Sequence, residues 1–149
     1  MKLQDYLLTL YMEESSEAIK AAGSMIRQGK GYRFSSYGNM TGEDIFYSEF
    51  GDCLASIILL RLSGISIAPK TVEFLLNKDE SVLKEMEIRI ENILSITEKN
   101  IEGLELDGEE FKKFKGEVEE IFSKSRKEIE NREEEEKDSS RRMIISKKY

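Results

Sequence analysis

A chain of 149 residues, 39% of them hydrophobic, is long enough for one domain with a modest core. Its net charge of −7 argues against nucleic acid as a general partner, because a phosphate backbone requires compensating Lys and Arg. The absence of His excludes imidazole general bases, Ser-His-Asp triads and His-ligated metal sites. The single cysteine, Cys53, excludes an intrachain disulfide and a Cys-based zinc site.

The apolar segments are too short for a membrane span. No run approaches the roughly 18 apolar residues that such a helix requires. The stretch Met1–Asp5 lacks the apolar region of a signal peptide. We therefore expect a cytoplasmic protein that does not act in a membrane. Cys53 lies in an apolar run, which favours a small buried residue over a nucleophile.

The first predicted helix covers residues 3–28. Its apolar side chains follow three- and four-residue steps: Leu3, Leu7, Leu10, Ala18, Ala21, Ala22, Met25 and Ile26. Glu14 falls between Leu10 and Ala18, where this stripe predicts an apolar residue. A carboxylate in a core stripe is unfavourable unless it is ligated or paired, so we expect Glu14 to have a specific role.

Residues 29–42 are predicted to form a loop, because four glycines interrupt them. Three aromatic residues and two cations lie between these glycines: Tyr32, Phe34, Tyr37, Lys30 and Arg33. In one interpretation the aromatics stack on a nucleotide base and the cations meet its phosphates. In the other, which we favour, the aromatics anchor the loop to the core and the cations stay solvated. Lys20 and Arg27 are likewise either solvated helix cations or phosphate contacts.

A second helix is predicted from Thr41, its N-cap, to about Leu62. Asp44 lies three residues after Thr41, as in a capping box, and Glu49 interrupts the apolar side of the helix. Pro69 is expected to open a short helix that runs through Leu76, because proline is favoured at the first helical position.

Two longer helices are predicted in the second half of the chain. The first begins at Asp79 or Ser81 and runs to about Asn100, and the second runs from about Glu109 to Arg132 after a turn. Their apolar seams have three-four spacing, which predicts an antiparallel hairpin. The charged residues 133–149 are expected to be a frayed helix end or a solvated tail, in which the apolar patch 143–145 is a candidate for docking on a neighbouring subunit.

The sequence therefore predicts an all-α fold, a helical bundle with an additional charged hairpin at its C-terminal side. We expect a metal-binding helical core in residues 1–78. Residues 79–132 would form the hairpin, packed on this core or on a neighbouring subunit, and residues 133–149 would form the charged tail.

Two pairs of carboxylates carry the main chemical signal. Glu14 and Glu17 lie three residues apart, as do Glu49 and Asp52, so each pair shares one face of its helix. If the two faces pack together, their oxygens form a site that suits Mg²⁺, with Mn²⁺ as an alternative, and Mg²⁺ suits phosphate substrates. Glu13 is the candidate general base. The competing interpretation is that these are solvent-facing charges in a chain with 30 acidic residues.

These motifs resemble those of the all-α nucleoside triphosphate pyrophosphohydrolases, the superfamily of MazG-like proteins and dimeric dUTPases. Segment 13–22 reads EESSEAIKAA and segment 49–55 reads EFGDCLA, which matches the family pattern E-E-x-x-E followed by E-x-x-D on the next helix. The similarity covers about residues 1–65. The loop 29–42 makes the separation of the two motifs long for this family.

The resemblance implies Mg²⁺-dependent hydrolysis of a nucleoside triphosphate to the monophosphate and pyrophosphate. Glu14, Glu17, Glu49 and Asp52 would ligate the metal, and Glu13 would help to bind a second metal or orient the attacking water. It also implies a homodimer or homotetramer whose subunits form the site in pairs. Among downstream residues, three are candidates for the family's phosphate contacts: Lys78, Lys84 and Asn92. The alternative function is a non-enzymatic helical module for oligomerisation or partner binding.

Overall fold

The computed structural model describes residues 1–146, and these residues are almost entirely helical. Five α-helices follow one another: α1 (Leu3–Gln28), α2 (Gly42–Leu62), α3 (Pro69–Asn77), α4 (Glu80–Lys99) and α5 (Gly108–Ser146). Two short strands, β1 (Arg33–Phe34) and β2 (Met40–Thr41), lie between α1 and α2. The predicted all-α fold is confirmed. None of the helices within residues 1–146 has the length and apolar character needed to cross a membrane.

Helices α1 and α2 pack antiparallel along most of their length. Near one end Gln4 donates a hydrogen bond to the Ser63 carbonyl, and in the middle Ser15 Oγ lies 3.4 Å from Cys53 Sγ. Cys53 is buried in this contact, as predicted. The antiparallel arrangement brings the centre of α1, which carries Glu14 and Glu17, beside the first half of α2, which carries Glu49 and Asp52.

The segment between α1 and α2 is a small hairpin rather than the predicted loop without secondary structure. Strands β1 and β2 pair antiparallel, with Arg33 opposite Thr41 and Phe34 opposite Met40. A turn of 3₁₀ helix at Ser35–Tyr37 connects them and ends at Gly38, whose φ of 60° favours glycine. The prediction was wrong here because each strand has only two residues, too few to produce an alternating pattern.

The predicted helix starts are confirmed. Thr41 and Asp44 form a capping box at the start of α2, in which each side chain accepts a hydrogen bond from the other residue's backbone N–H. Pro69 occupies the first turn of α3. Of the two residues predicted to cap α4, Asp79 is the N-cap, and its carboxylate accepts from the Val82 N–H.

Helices α4 and α5 form the predicted antiparallel hairpin. Lys115 binds Glu98 at one level of the pair, and Arg126 binds Glu87 at another. The α4–α5 hairpin packs on α1 and α2. The Tyr6 hydroxyl of α1 lies 2.9 Å from Thr97 Oγ1 of α4, and Arg89 of α4 donates a 3.0 Å hydrogen bond to the Ser48 carbonyl of α2. One hydrophobic core therefore includes buried residues from all five helices, with Leu7, Ile58, Val72, Ile90 and Phe122 as examples.

Helix α5 does not end near Arg132 as predicted but continues to Ser146. Residues 133–146 are therefore helical rather than a tail, and residues 147–149 lie outside the described part of the chain. The charge run has no apolar periodicity, which is why it was predicted to fray. However, Glu, Lys and Arg have high helix propensity, so a packed helix can extend through such a run.

Candidate functional site

Three of the four predicted metal ligands meet at the contact between α1 and α2. Glu14 and Glu17 lie on α1, Glu49 lies on α2, and one carboxylate oxygen from each is within 4.8 Å of the others. Glu14 and Glu49 are half-buried, whereas Glu17 is exposed. We call these three residues the acidic cluster. The oxygens of two sequence-distant motifs therefore converge, which is the condition on which the predicted metal site depends.

Small side chains allow the two helices to approach at this point. Ala18 and Ala21 are buried on the α1 face, and Ala55 is fully buried on α2. Farther along, a Cβ added to Gly42 would lie 3.5 Å from the Met25 Cα. Because the backbones are close, carboxylates that project from the two helices come within 4.8 Å of one another at the edge of the interface.

The carboxylates of the acidic cluster repel one another. Burial raises the pKa of Glu14 to about 7, and the negative charges of Asp52, Glu17, Glu49 and Glu13 add to the effect. The pKa of Glu49 is also raised, first by burial and then by the charges of Glu17 and Asp52 and a hydrogen bond with Glu17. A positive charge placed between these oxygens would relieve the repulsion.

Asp52, the fourth predicted ligand, lies beside the acidic cluster but has a different partner. Its Oδ1 accepts a hydrogen bond of 2.8 Å from Arg89 on α4, which also bonds Glu85 and the Ser48 carbonyl. Metal ligation by Asp52 stays a prediction, and it would place the metal next to this guanidinium. The three carboxylates of the acidic cluster therefore form the geometric core of the site.

Sequence reasoning missed Arg89. It lies in α4, between two residues of the core seam, Met86 and Ile90, and nothing in its local sequence distinguishes it from a solvated cation. One signal existed on α2, where Gly51 stands in the middle of a helix beside Asp52. A Cβ at Gly51 would lie 2.6 Å from Arg89 Nε, so the missing side chain makes room for the guanidinium.

A cleft of about 370 Å³ opens beside the acidic cluster. Glu17 and Glu49 form one wall, and Phe34 and Tyr37 from the β1–β2 hairpin form another. The remaining lining residues come from α1 and the start of α2: Lys20, Ala21, Ser24, Gly42 and Ile45. The cleft therefore offers carboxylates, a cation and two aromatic rings within one concave surface.

Of the four predicted substrate-binding cations, only Lys20 lines this cleft. The Arg27 guanidinium lies against Gly23 and Ser24 on α1, and Lys30 is exposed on the hairpin. Arg33 donates a 2.8 Å hydrogen bond to the Asn39 carbonyl, so it stabilises the hairpin.

Glu13, the predicted general base, is exposed on α1 next to the acidic cluster. The three candidate downstream phosphate contacts do not line the cleft either: Lys78, Lys84 and Asn92. Among the aromatics, Phe34 is half-buried and packs edge-to-face against Tyr32, with ring centroids 4.9 Å apart. This contact lies within the β1–β2 segment itself, while the exposed Tyr37 leaves a ring surface in the cleft.

Comparison with known proteins adds no relative: no family model, no curated protein and no solved structure matches the chain. The functional argument therefore rests on the chain's own residues.

Proposed function

We propose that this chain is a Mg²⁺-dependent nucleoside triphosphate pyrophosphohydrolase of the all-α type, which releases a nucleoside monophosphate and pyrophosphate. The observation that carries the proposal is the convergence of Glu14, Glu17 and Glu49 at the wall of a cleft. Two acidic motifs separated by a loop have no structural need to meet, and their mutual repulsion is unfavourable for folding unless a cation is bound.

The donor set supports Mg²⁺ as the metal, with Mn²⁺ as an alternative. All three groups of the acidic cluster are carboxylates, and hard divalent cations prefer oxygen ligands. Bound Mg²⁺ would neutralise phosphate oxygens and polarise the phosphoryl group under attack. Glu14, Glu17 and Glu49 would hold it, and Asp52 would join them only by sharing its carboxylate with Arg89.

The cleft supports a nucleotide as substrate. Lys20 is placed to bind phosphate oxygens near the acidic cluster, and the exposed ring of Tyr37 offers a surface on which a base could stack. Glu13, which lies on α1 outside the acidic cluster, would accept a proton from the attacking water. In this proposal Arg27, Lys30 and Arg33 have no phosphate contact within one subunit.

A nucleotide panel tests the proposal. Purified protein with Mg²⁺ is incubated with each common nucleoside triphosphate, and pyrophosphate and orthophosphate are measured separately. We expect pyrophosphate release that is lost in Glu17→Gln and retained in Glu119→Gln, a matched change of an exposed glutamate on α5. Absence of pyrophosphate release from every nucleotide, or full activity in Glu17→Gln, would refute the assignment.

The second candidate function is a helical oligomerisation or partner-binding module. One observation favours it: α1 exposes apolar side chains at steps of four and seven residues, namely Leu8, Met12, Ile19 and Ile26. Such a stripe is typical of a helix that packs against another chain. It is also compatible with the proposed cytoplasmic enzyme as a homodimer or homotetramer, so the panel above, rather than the oligomeric state, separates the two functions.

A further inference from the structure

The exposed apolar stripe of α1 has a counterpart on α2. On α1 the stripe follows steps of four and three residues: Leu8, Met12, Ser15, Ile19, Ala22 and Ile26. On α2 the steps are three, four and three residues: Tyr47, Phe50, Leu54 and Ile57. This spacing is typical of a seam that packs against other helices. None of these positions is charged, although 36% of the chain's residues are.

The two stripes lie on the same side of the α1/α2 pair. Ser15 Oγ lies 3.4 Å from Cys53 Sγ, so these two residues mark where the helices meet. Ser15 belongs to the α1 stripe, and Cys53 lies one turn from both Phe50 and Ile57 of the α2 stripe. The stripes therefore border each other and form one surface, which we call the apolar face.

The apolar face has the size of a protein–protein interface. Six of its side chains are 44–80% exposed: Leu8, Met12, Ile19, Ile26, Tyr47 and Phe50. With roughly 200 Å² for a fully exposed large side chain, these six present on the order of 700 Å². The largest apolar patch on a typical monomer is about 300–600 Å², whereas each partner in a standard interface buries about 800 Å². The area therefore matches what a stable dimer needs.

The apolar face points away from the acidic cluster. Residues two positions apart in a helix point about 160° away from each other. Each carboxylate of the two acidic pairs has an exposed apolar residue at this spacing, which gives the pairs Met12/Glu14, Ile19/Glu17, Tyr47/Glu49 and Phe50/Asp52. Helix α4 packs on the carboxylate side, where Arg89 binds Asp52, and it leaves the apolar face open.

Opposite charges lie at one end of the apolar face. Asp5 lies one turn before the first residue of the α1 stripe, and Arg61 lies one turn after the last residue of the α2 stripe. The hydrogen bond from Gln4 to the Ser63 carbonyl shows that these ends of α1 and α2 lie side by side. If α1 of one copy lies on α2 of a second copy, Asp5 of each copy approaches Arg61 of the other. The face is therefore complementary in charge to itself.

We propose that a second copy of this chain covers the apolar face with its own apolar face, so that two α1/α2 pairs form a four-helix bundle. Helix α1 of each copy packs on α2 of the other, and both copies use the same surface, as a two-fold axis requires. The two acidic clusters then point away from the interface, and each copy keeps a cleft of its own. This differs from the expectation that subunits form the site in pairs. The arrangement does not depend on the proposed hydrolase activity.

Sedimentation equilibrium of the full-length protein tests the interface. We expect Ile19→Lys to have half the assembly mass of the wild type, because the lysine places an unpaired charge in the apolar face. Ile96→Lys is the matched control and should keep the wild-type mass, since Ile96 is 60% exposed on α4, outside the apolar face. Circular dichroism checks that both variants keep their helices. A single-chain mass for the wild type, or equal masses for the two variants, would overturn the proposal.

Thiol alkylation tests which side of the α1/α2 pair is covered. The natural Cys53 is buried, so an added cysteine dominates the reaction with N-ethylmaleimide. Met12→Cys, on the apolar face, should react more slowly in the assembly than after dilution to single chains. Lys20→Cys, which lines the cleft, should react at the same rate in both states. Protection of Lys20→Cys in the assembly, or no protection of Met12→Cys, would overturn the arrangement.

Discussion

The guanidinium of Arg89 lies 2.8 Å from the carboxylate of Asp52, although the two residues are 37 positions apart in the chain. This ion pair joins α4 to α2 directly beside the acidic cluster. Gly51 provides the space, and Glu85 and the Ser48 carbonyl hold the guanidinium in place. The protein therefore carries one fixed positive charge next to several carboxylates that repel one another, and the stability of the site depends on that charge.

Replacing Gly51 by Ala should displace Arg89 and destabilise the protein. The new Cβ would lie 2.6 Å from Arg89 Nε, closer than any real Cβ contact, so the guanidinium must leave Asp52. The guanidinium is the end of a flexible side chain and can move away, so the loss comes from its hydrogen bonds to Asp52 and Ser48. After the gain in helix propensity from Gly to Ala, we expect a net loss of about 0.5–1 kcal/mol in the free energy of unfolding. Urea denaturation measures it.

Gly116→Ala on α5 is the matched control for this substitution. A Cβ at Gly116 meets nothing within 4 Å, so the change should stabilise the helix by about 0.5–1 kcal/mol. If Gly51→Ala were as stabilising as Gly116→Ala, Arg89 would not need the space that Gly51 leaves.

The ion pair between Arg89 and Asp52 should show a measurable coupling energy. In a double-mutant cycle with Arg89→Met and Asp52→Asn, we expect about 1 kcal/mol, because the pair is partly shielded from solvent. The more exposed pair of Lys115 and Glu98, with Lys115→Met and Glu98→Gln, is the comparison and should couple more weakly. Equal coupling energies in both cycles would mean that the position beside the acidic cluster does not strengthen the ion pair of Arg89 and Asp52.

Without metal, stability should decrease as the pH rises through the range in which Glu14 ionises. The folded state raises the pKa of Glu14 from 4.5 to about 7, so between these values the folded form binds more protons than the unfolded form. The resulting loss, on the order of 1 kcal/mol after solvent screening, should be complete above pH 7.

Glu14→Gln should remove this part of the pH dependence and raise stability at neutral pH. Thermal unfolding from pH 4 to 8 in a chelator measures the difference between the variant and the wild type. Glu119→Gln, on the exposed face of α5, should keep the wild-type slope. If stability changed with pH in the same way in all three proteins, the pKa of Glu14 would not be raised in the folded state.

Millimolar Mg²⁺ or Mn²⁺ should stabilise the wild type, because a ligand that binds only the folded form raises its stability. At ten times the dissociation constant the gain is about 1.4 kcal/mol. Glu49→Gln should lose the response while being more stable than the wild type in a chelator, since it removes one repelling charge. This opposite pair of effects separates metal binding from general damage. A wild-type melting temperature that changes with neither Mg²⁺ nor Mn²⁺ would contradict the proposed metal site.

Much of the fold followed from the sequence because it depends on local interactions. The helix starts at Thr41, Pro69 and Asp79 are encoded by capping and backbone preferences that act within four residues. The shared faces of Glu14 with Glu17 and of Glu49 with Asp52 follow from helical geometry alone. Glu14 and Glu49 interrupt apolar stripes that must be buried. This was the reason to expect that the acidic faces of α1 and α2 would meet.

Other features were decided only when the helices packed. The partner of Asp52 depends on how α4 crosses α2, and no rule of spacing selects Arg89 from the other cations of the chain. Whether Lys30 and Arg33 reach the cleft depended on the path of the β1–β2 hairpin, whose strands are too short to predict. The amino-acid sequence by itself thus determined the helices, their caps and the direction of their acidic side chains, whose causes lie within a few residues. Tertiary structure alone decided the countercharge and the cleft, because these depend on distances between residues far apart in the chain.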